Sequence, residues 1–441
     1  MSQYDQAALL NAADIALNKA RELGASAAEV GVSNSHGLSV SVRQAEIETL
    51  EHNNDTGLAV TVYLGQSKAS ASTSDLRPEA IAETVAMACS IAKHTQADEF
   101  AGLPDKNLLA TEFPDLSLYH PWDISPEAAI ELAMACEQAG RDFSAQITNS
   151  EGASVSSHQG LRGYANSLGF AGSNQSSRHS IGCTLIANDD NGMQRDYWYD
   201  QARDALDLKS AEFIGQRAAE RTLSRLNAQE VKTGQYPVIF TAEMAGSLFG
   251  QLIGAIRGGA LYRQSSFLLD ALGKQIFPEF MHIHEQPYLP KAMGSASFDA
   301  EGVTTQQRDI IAGGVLKGYV LDSYSARKLN MTTTGNAGGV HNLTVDAGPL
   351  DFAGLLKQMD RGVIVTETMG MGSNIVTGDY SQGAAGFWVE NGEIQHAIDE
   401  FTIAGRLQDM FMGIQAVGND VDLRGNTRSG SVLIDRMTVA A

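Results

Sequence analysis

Phe387-Trp388-Val389-Glu390-Asn391-Gly392-Glu393-Ile394-Gln395-His396 reads as two short strands around an Asn-Gly turn. Asn and Gly both tolerate the positive φ that a two-residue hairpin demands, so this dipeptide between apolar runs is a strong local folding signal. A second hairpin is read at Ala312-Gly313-Gly314, between Arg308-Asp309-Ile310-Ile311 and Tyr319-Val320-Leu321. The C-terminal half is therefore expected to be mainly β, with few helices, near Met244 to Ile256 and Leu407 to Ile414.

Upstream, residues 5–23 place Leu9, Ala12, Ala13, Ala16, Leu17 and Ala20 at helical spacing, and Gly24 follows as a stop. Alternating stretches at Ala28 to Val32, Leu38 to Val42 and Leu58 to Leu64 predict strands, with Asn53-Asn54-Asp55 and Gly65-Gln66 as turns. Local connections make these strands antiparallel. Helices opened by proline follow from Pro78 to Cys89 and from Pro126 to Cys136. Strands return from Gly152 to Tyr199, with Asn188-Asp189-Asp190-Asn191-Gly192 as a turn, and a helix is expected from Leu208 to Leu226. The polar segment Ala228 to Gly234 is the candidate boundary. The expectation is an α+β protein of two domains: residues 1–230, an antiparallel sheet with helices, and residues 231–441, mainly β with few helices.

Composition narrows the function classes. The 441 residues exceed what one hydrophobic core sustains, and 43% hydrophobic with 19% charged residues is an ordinary globular balance. Thirty-one Lys and Arg against 52 Asp and Glu give a net charge of -21, which disfavours direct contact with nucleic acid or anionic membrane. The three cysteines, Cys89, Cys136 and Cys183, are too scattered for a disulfide framework or a thiolate metal site, which fits a reducing compartment. No basic n-region opens the sequence and no apolar run approaches the roughly 18 residues of a spanning helix, so a cytoplasmic location is expected.

The search for chemistry returns mostly incomplete motifs. A zinc peptidase helix places two imidazoles on one face beside a glutamate, because the cation needs about three fixed ligands and a base for its water. His284-Glu285 begins that pattern, but Tyr288 and Leu289 stand where the second His belongs and Pro287 breaks the helix. His282 and His284 would share one face of a strand, either as a metal pair without an evident third ligand or as two polar surface groups. His341, after a glycine-rich turn, reads first as a hydrogen-bonding structural residue and second as a base. Ser247 lacks the flanking glycines of a nucleophile elbow, and neither a P-loop nor a dinucleotide fingerprint occurs.

Longer matches identify a family. The runs Gly258 to Asp270, Leu272 to Gln275, Phe298 to Val303, Arg308 to Ile310, Ser323 to Leu329, Thr377 to Ile394, Thr402 to Gly405 and Val417 to Asp420 resemble the PmbA (TldE) branch of the TldD/PmbA family. The resemblance covers the C-terminal half most clearly, and in the N-terminal half it rests on element order. It implies a two-domain subunit of a TldD-PmbA metallopeptidase, a heterodimer or larger hetero-assembly that hydrolyses unfolded or leader-type peptides. The family also carries the name modulator of DNA gyrase.

In the catalytic branch the resemblance implies zinc held by a His-Glu-x-x-x-His helix and a later Cys. The corresponding helix start here is Thr241-Ala242-Glu243, without any His, and the late Cys position falls on Ser429. A hydroxyl is a far poorer zinc ligand than a thiolate. Glu243 is then a first-turn carboxylate favoured by the helix dipole. These degenerate positions imply no metal, no cofactor and no catalytic residue in this chain, with zinc supplied by a TldD-like partner.

Gly378, Asp379, Tyr380, Ser381, Gly386 and Phe387 lie in the longest matching run and read in two ways. Glycines permit close backbone approach, so the strand at Phe387 to Val389 could offer its edge to an extended peptide. The alternative is a hairpin that packs the domain or a subunit interface. For the whole chain, an autonomous hydrolase built on His282, His284 and Glu285, or a protein-binding modulator of DNA gyrase, remain the competing readings.

Overall fold

Small and β-branched residues carry strand structure well beyond the segments marked by their alternation. In the computed structural model, which describes residues 5–190, 192–370 and 372–441, Ala27–Arg43 (β1) and Glu46–Leu64 (β2) are continuous strands. With Ser67–Thr73 (β3), Ile147–Asn166 (β4), Ala171–Asp189 (β5) and Gly192–Ala202 (β6) they form an antiparallel six-stranded sheet in the order β3-β2-β1-β4-β5-β6. Asn53, Asn54 and Asp55, expected as a turn, instead pair with Gly37, His36 and Ser35 in mid-strand. Both faces of β2 are exposed from Glu46 to Asp55, so solvation and not turn chemistry explains these polar residues. Asn191, within the expected turn between β5 and β6, lies outside the described residues.

The true β1-β2 turn is Gln44-Ala45, both at positive φ, 54° and 62°. Neither residue favours that conformation. It is held from a distance: the buried carboxylate of Glu137 accepts the Gln44 amide at 2.8 Å and the Ala45 amide at 3.0 Å. Glu137 lies on Pro126–Arg141 (α3), which with Ala211–Ser224 (α4) covers one half of the sheet face. Gln6–Glu22 (α1) and Pro78–Ala92 (α2) cover the other half through Leu9, Ile81 and Val85. The opposite face, carrying Glu29, Ser33, Arg162 and Tyr164, is left to meet the C-terminal domain.

That domain starts with Gly234–Phe240 (β7), followed by Ala242–Ile256 (α5), Gly258–Tyr262 (α6), Ile283–Glu285 (β8), Arg308–Ala312 (β9), Val315–Leu316 (β10), Ser323–Lys328 (α7) and Leu343–Val345 (β11). Phe352–Met359 (α8), Gly362–Met369 (β12), Ser373–Asn374 (β13), Asp379–Glu390 (β14), Glu393–Arg406 (β15), Leu407–Met412 (α9), Ile414–Val417 (β16), Thr427–Arg428 (β17) and Val432–Ala440 (β18) complete it. β12 pairs with both β7 and β14, closing β7, β18, β15, β14 and β12 into a ring. Phe240, Val365 and Ile434 share one cluster with Phe249 and Leu252 of α5, and Ile239, Ile364 and Leu433 share another with Leu355 and Met359 of α8. Asn391 and Gly392 take positive φ, 56° and 72°, as the hairpin reading required.

A second sheet, in the order β10-β9-β8-β11-β17, carries most of the polar side chains of interest. Its hairpin turns at Gly313-Gly314 into β10, not into the expected Tyr319 to Leu321, because two glycines at positive φ reverse the chain at once. Val320 instead bridges Arg257. The two domains meet through polar clamps: Arg327 donates to the carbonyls of Phe100, Gly102 and Leu103 at 2.8, 2.7 and 3.0 Å, and Tyr324 donates to Asp98 at 2.6 Å. No helix among the described residues is long and apolar enough to cross a membrane.

The Glu137 cap makes a direct prediction. In urea unfolding, Glu137→Ala should lower stability by about 2 to 4 kcal/mol, since two amides lose a charged acceptor. Ala45→Gly should raise it by up to about 1 kcal/mol by relieving the left-handed strain. Unchanged midpoints in both variants would contradict this view of the turn.

Candidate functional site

Where the exposed face of the first sheet meets the loops of the second domain, a cleft of about 760 Å³ opens. Ser33, Arg162, Tyr164 and Asn174 line one wall, and Asp299, Gly338, Gly339 and His341 the other. The second wall has little regular structure, so its backbone groups need side-chain partners. Buried Asp299 accepts from the amides of Glu301, Val303 and Ala337, each at 2.9 Å. Buried Glu285 accepts from Arg308 at 2.7 Å and from Asn336 and the His341 amide at 2.8 Å each. His341 Nδ1 faces the Gly294 carbonyl at 3.3 Å, and its buried Nε2 has no hydrogen-bond partner among the described residues.

A second polar centre surrounds the start of α5. Thr241 caps the helix through its backbone alone, and Glu243 lies in the first turn. Glu243 Oε1 stands 3.7 Å from a guanidinium nitrogen of Arg221 and 3.7 Å from one of Arg424. Arg424 is fixed by two 2.9 Å bonds to Asp422, donates to the Tyr199 carbonyl at 2.8 Å and covers the Trp198 ring at 4.4 Å. Arg225 beside it pairs with Asp196 at 2.7 Å and Glu367 at 2.8 Å. Ser429 is buried, and its hydroxyl donates to the Gly430 carbonyl at 2.9 Å. Ala242 adds only a methyl group.

The Gly378 to Phe387 run is interior to its sheet, not a free edge. Phe387 pairs with Ile364 of β12 on one side and Ala397 of β15 on the other, and Tyr380 with Ser373 and Gly405. Peptide capture by the main chain at Phe387 to Val389 is therefore corrected: those groups are already paired. A β-carbon at Gly386 would lie 1.7 Å from the Ile364 carbonyl oxygen, which explains the glycine as a packing necessity. Asp379 and Ser381 alternate with buried Tyr380 on the exposed side, and Thr377 bonds Asp379 at 2.6 Å.

His282 and His284 come together as the sequence suggested, but with partners that it did not. Asp309 of β9 lies 2.9 Å from His282 Nε2, and Asp346, just past β11, lies 2.7 Å from His282 Nδ1. The Asp309 carboxylate holds the His282 imidazole above its usual pKa, against the effect of burial and helped by Asp346. Burial keeps the His284 imidazole below its usual value. Strand pairing thus brings two aspartates beside the imidazole pair that the spacing of the sequence does not show.

Comparison with known proteins decides the family. Three family models match in order: PmbA/TldA metallopeptidase domain 1 over residues 28–92, the central domain over 119–226 and the C-terminal domain over 233–441. The sequence is 50% identical over 413 residues to metalloprotease PmbA of Escherichia coli O157:H7, covering 94% of this chain and 92% of that one. The chain belongs to the PmbA/TldD metallopeptidase family. Its structure matches a protein described as a modulator of DNA gyrase from Bacteroides thetaiotaomicron, with a TM-score of 0.93, 28% identity and 98% of both chains covered. It also shares the fold of TldE from Thermococcus kodakarensis, with a TM-score of 0.86, 21% identity, and 98% of this chain and 100% of that one covered.

Within this PmbA/TldD chain, Glu301 sits at the domain junction beside the cleft wall. Burial pushes its carboxyl up to about 7, against the Ser323 amide that it accepts at 3.0 Å. Unfolded, the group ionises near 4.5, so folding holds a proton that the unfolded chain releases first. Stability should then be highest at low pH with respect to this group, fall as pH rises from about 4.5 to about 7, and level off above. At ~1.4 kcal/mol per pH unit the loss is on the order of 3 kcal/mol. Glu301→Gln should flatten that slope in urea unfolding between pH 5 and 8, and an identical slope in both proteins would refute the assignment.

Proposed function

We propose that this chain is the PmbA/TldE-type subunit of a two-component metallopeptidase that degrades unfolded or leader peptides, with zinc and the hydrolytic step supplied by a TldD-like partner. The observation that carries this reading is the pair of guanidiniums at Glu243. Two guanidiniums, each 3.7 Å from the carboxylate, occupy it at the point where a metal-activating helix would hold an ion. Thr241, Ala242 and Ser429 add no imidazole or thiolate, and the Ser429 hydroxyl is spent on a backbone carbonyl. The residues at the α5 start therefore do not fit zinc. Glu243 is then an ion-pair partner and not a general base.

The cleft supports a substrate-holding role. Arg162, Asn174 and the exposed backbone of Gly338 offer donors suited to the carbonyls of an extended peptide, without selecting side chains. Asp379, Ser381 and their strand are proposed as packing or subunit-interface residues. The same reading takes residues 1–230 and 231–441 as the two units, places the assembly in the cytoplasm, and assigns no direct contact with nucleic acid to a chain of charge -21.

Reconstitution tests this. The purified chain alone should leave an unstructured peptide uncut, and addition of the TldD-like subunit should produce zinc-dependent cleavage. Glu243→Gln should keep the reconstituted rate within about threefold, because only transition-state groups cost orders of magnitude when removed. Cleavage by this chain alone that disappears in Glu243→Gln would overturn the proposal.

A further inference from the structure

Three neighbouring strands of the second sheet, β9, β8 and β11, bring His282, His284, Asp309 and Asp346 to one point far from the α5 start in sequence. His284 pairs with Asp309 across β8-β9 and with Thr344 across β8-β11, and the Asp346 amide donates to the His282 carbonyl at 3.0 Å. The side chains are thus mounted on paired backbone on both sides, which fixes their separations. One ligand atom from each of His282, His284 and Asp309 can be chosen so that all lie within 4.8 Å of one another.

A shared proton explains part of this. Imidazolium at His282 would donate to Asp346 at 2.7 Å and to Asp309 at 2.9 Å. It leaves His284 unexplained. The Nε2 atom of His284 is buried and has no hydrogen-bond partner among the described residues; Asp346 Oδ1 is 3.4 Å away, outside bonding geometry. A buried imidazole nitrogen without a hydrogen-bond partner, beside a carboxylate and a second imidazole 4.6 Å away ring to ring, is what a cation would use.

We propose that His282 Nε2, His284 Nε2 and an Asp309 carboxylate oxygen form a binding site for a divalent transition metal of the zinc type, separate from the α5 position. In it Asp346 accepts the Nδ1 hydrogen of His282 and so fixes the tautomer that presents Nε2, the usual carboxylate-histidine support of such ligands. Two imidazoles and one carboxylate suit zinc, cobalt or nickel, and exclude calcium and magnesium, which need oxygen ligands throughout. Tetrahedral zinc sets its ligand atoms roughly 3.3 Å apart, so the 2.9 Å contact of His282 with Asp309 widens by a few tenths of an ångström on binding. Asp309 is half exposed, which leaves the remaining coordination position to water and gives the ion a path of entry. The metal ties β8 to β9 and stiffens the sheet that carries Glu285; this inference stands independently of the proposed subunit role.

The test uses full-length protein without an affinity tag, stripped with chelator and dialysed, then titrated with zinc chloride in a calorimeter and with cobalt chloride in a spectrophotometer. One equivalent should bind, with an intense visible band for cobalt and an upward shift in melting temperature. His284→Gln and Asp309→Asn should each weaken zinc at least tenfold while melting like the metal-free parent, and Glu243→Gln should bind as the parent does. Absence of saturable binding, or binding equally strong in His284→Gln and Asp309→Asn, would overturn the site. Loss of binding in Glu243→Gln would also overturn it, because the ion would then sit at α5.

Discussion

The loops between β8 and β11 hold their shape through buried carboxylates and amides that take the place of a hydrogen-bonded ladder. Glu285 is 1% exposed and gathers Arg308, Asn336 and the His341 amide; Asp299 is 3% exposed and gathers three further amides. Asn342 extends the network to the Gln286 carbonyl and Ser295, and receives the Gly294 amide. Each of these groups would be costly to bury alone, and each is satisfied only when the others are in place. The cleft wall and the orientation of His341 follow from that mutual dependence.

The same logic operates at the α5 start, with ion pairs in place of amides. Asp196, Asp422, Glu243 and Glu367 are interleaved with Arg221, Arg225 and Arg424 over the Trp198 ring, and the cluster joins elements of both domains. Paired with arginine, the carboxylates gain fixed partners. The cluster ties β6 and α4 of the first domain to α5 and β12 of the second.

Much of this was legible in the sequence. The Asn391-Gly392 turn, the opening helix, the proline-led helices and the two-domain α+β plan follow from local chemistry that acts within a few residues. The Gln44-Ala45 turn was not legible, because its cause is Glu137, some ninety positions away in the chain. Asn53-Asn54-Asp55 misled for the complementary reason: polar residues mark turns only where a strand has a buried face, and β2 has none from Glu46 to Asp55. The site residues divide in the same way. His282 and His284 advertise themselves two residues apart, whereas Asp309 and Asp346 join them through strand pairing. Arg221 and Arg424 meet Glu243 from opposite ends of the fold, with no signal in spacing or composition.

The most direct measurement is anomalous diffraction at the zinc edge from crystals of this chain assembled with the TldD-like subunit proposed as its partner. A peak on the partner's helix and none within bonding reach of Glu243 is the predicted result. Zinc coordinated by Glu243 in place of the Arg221 and Arg424 contacts would contradict it.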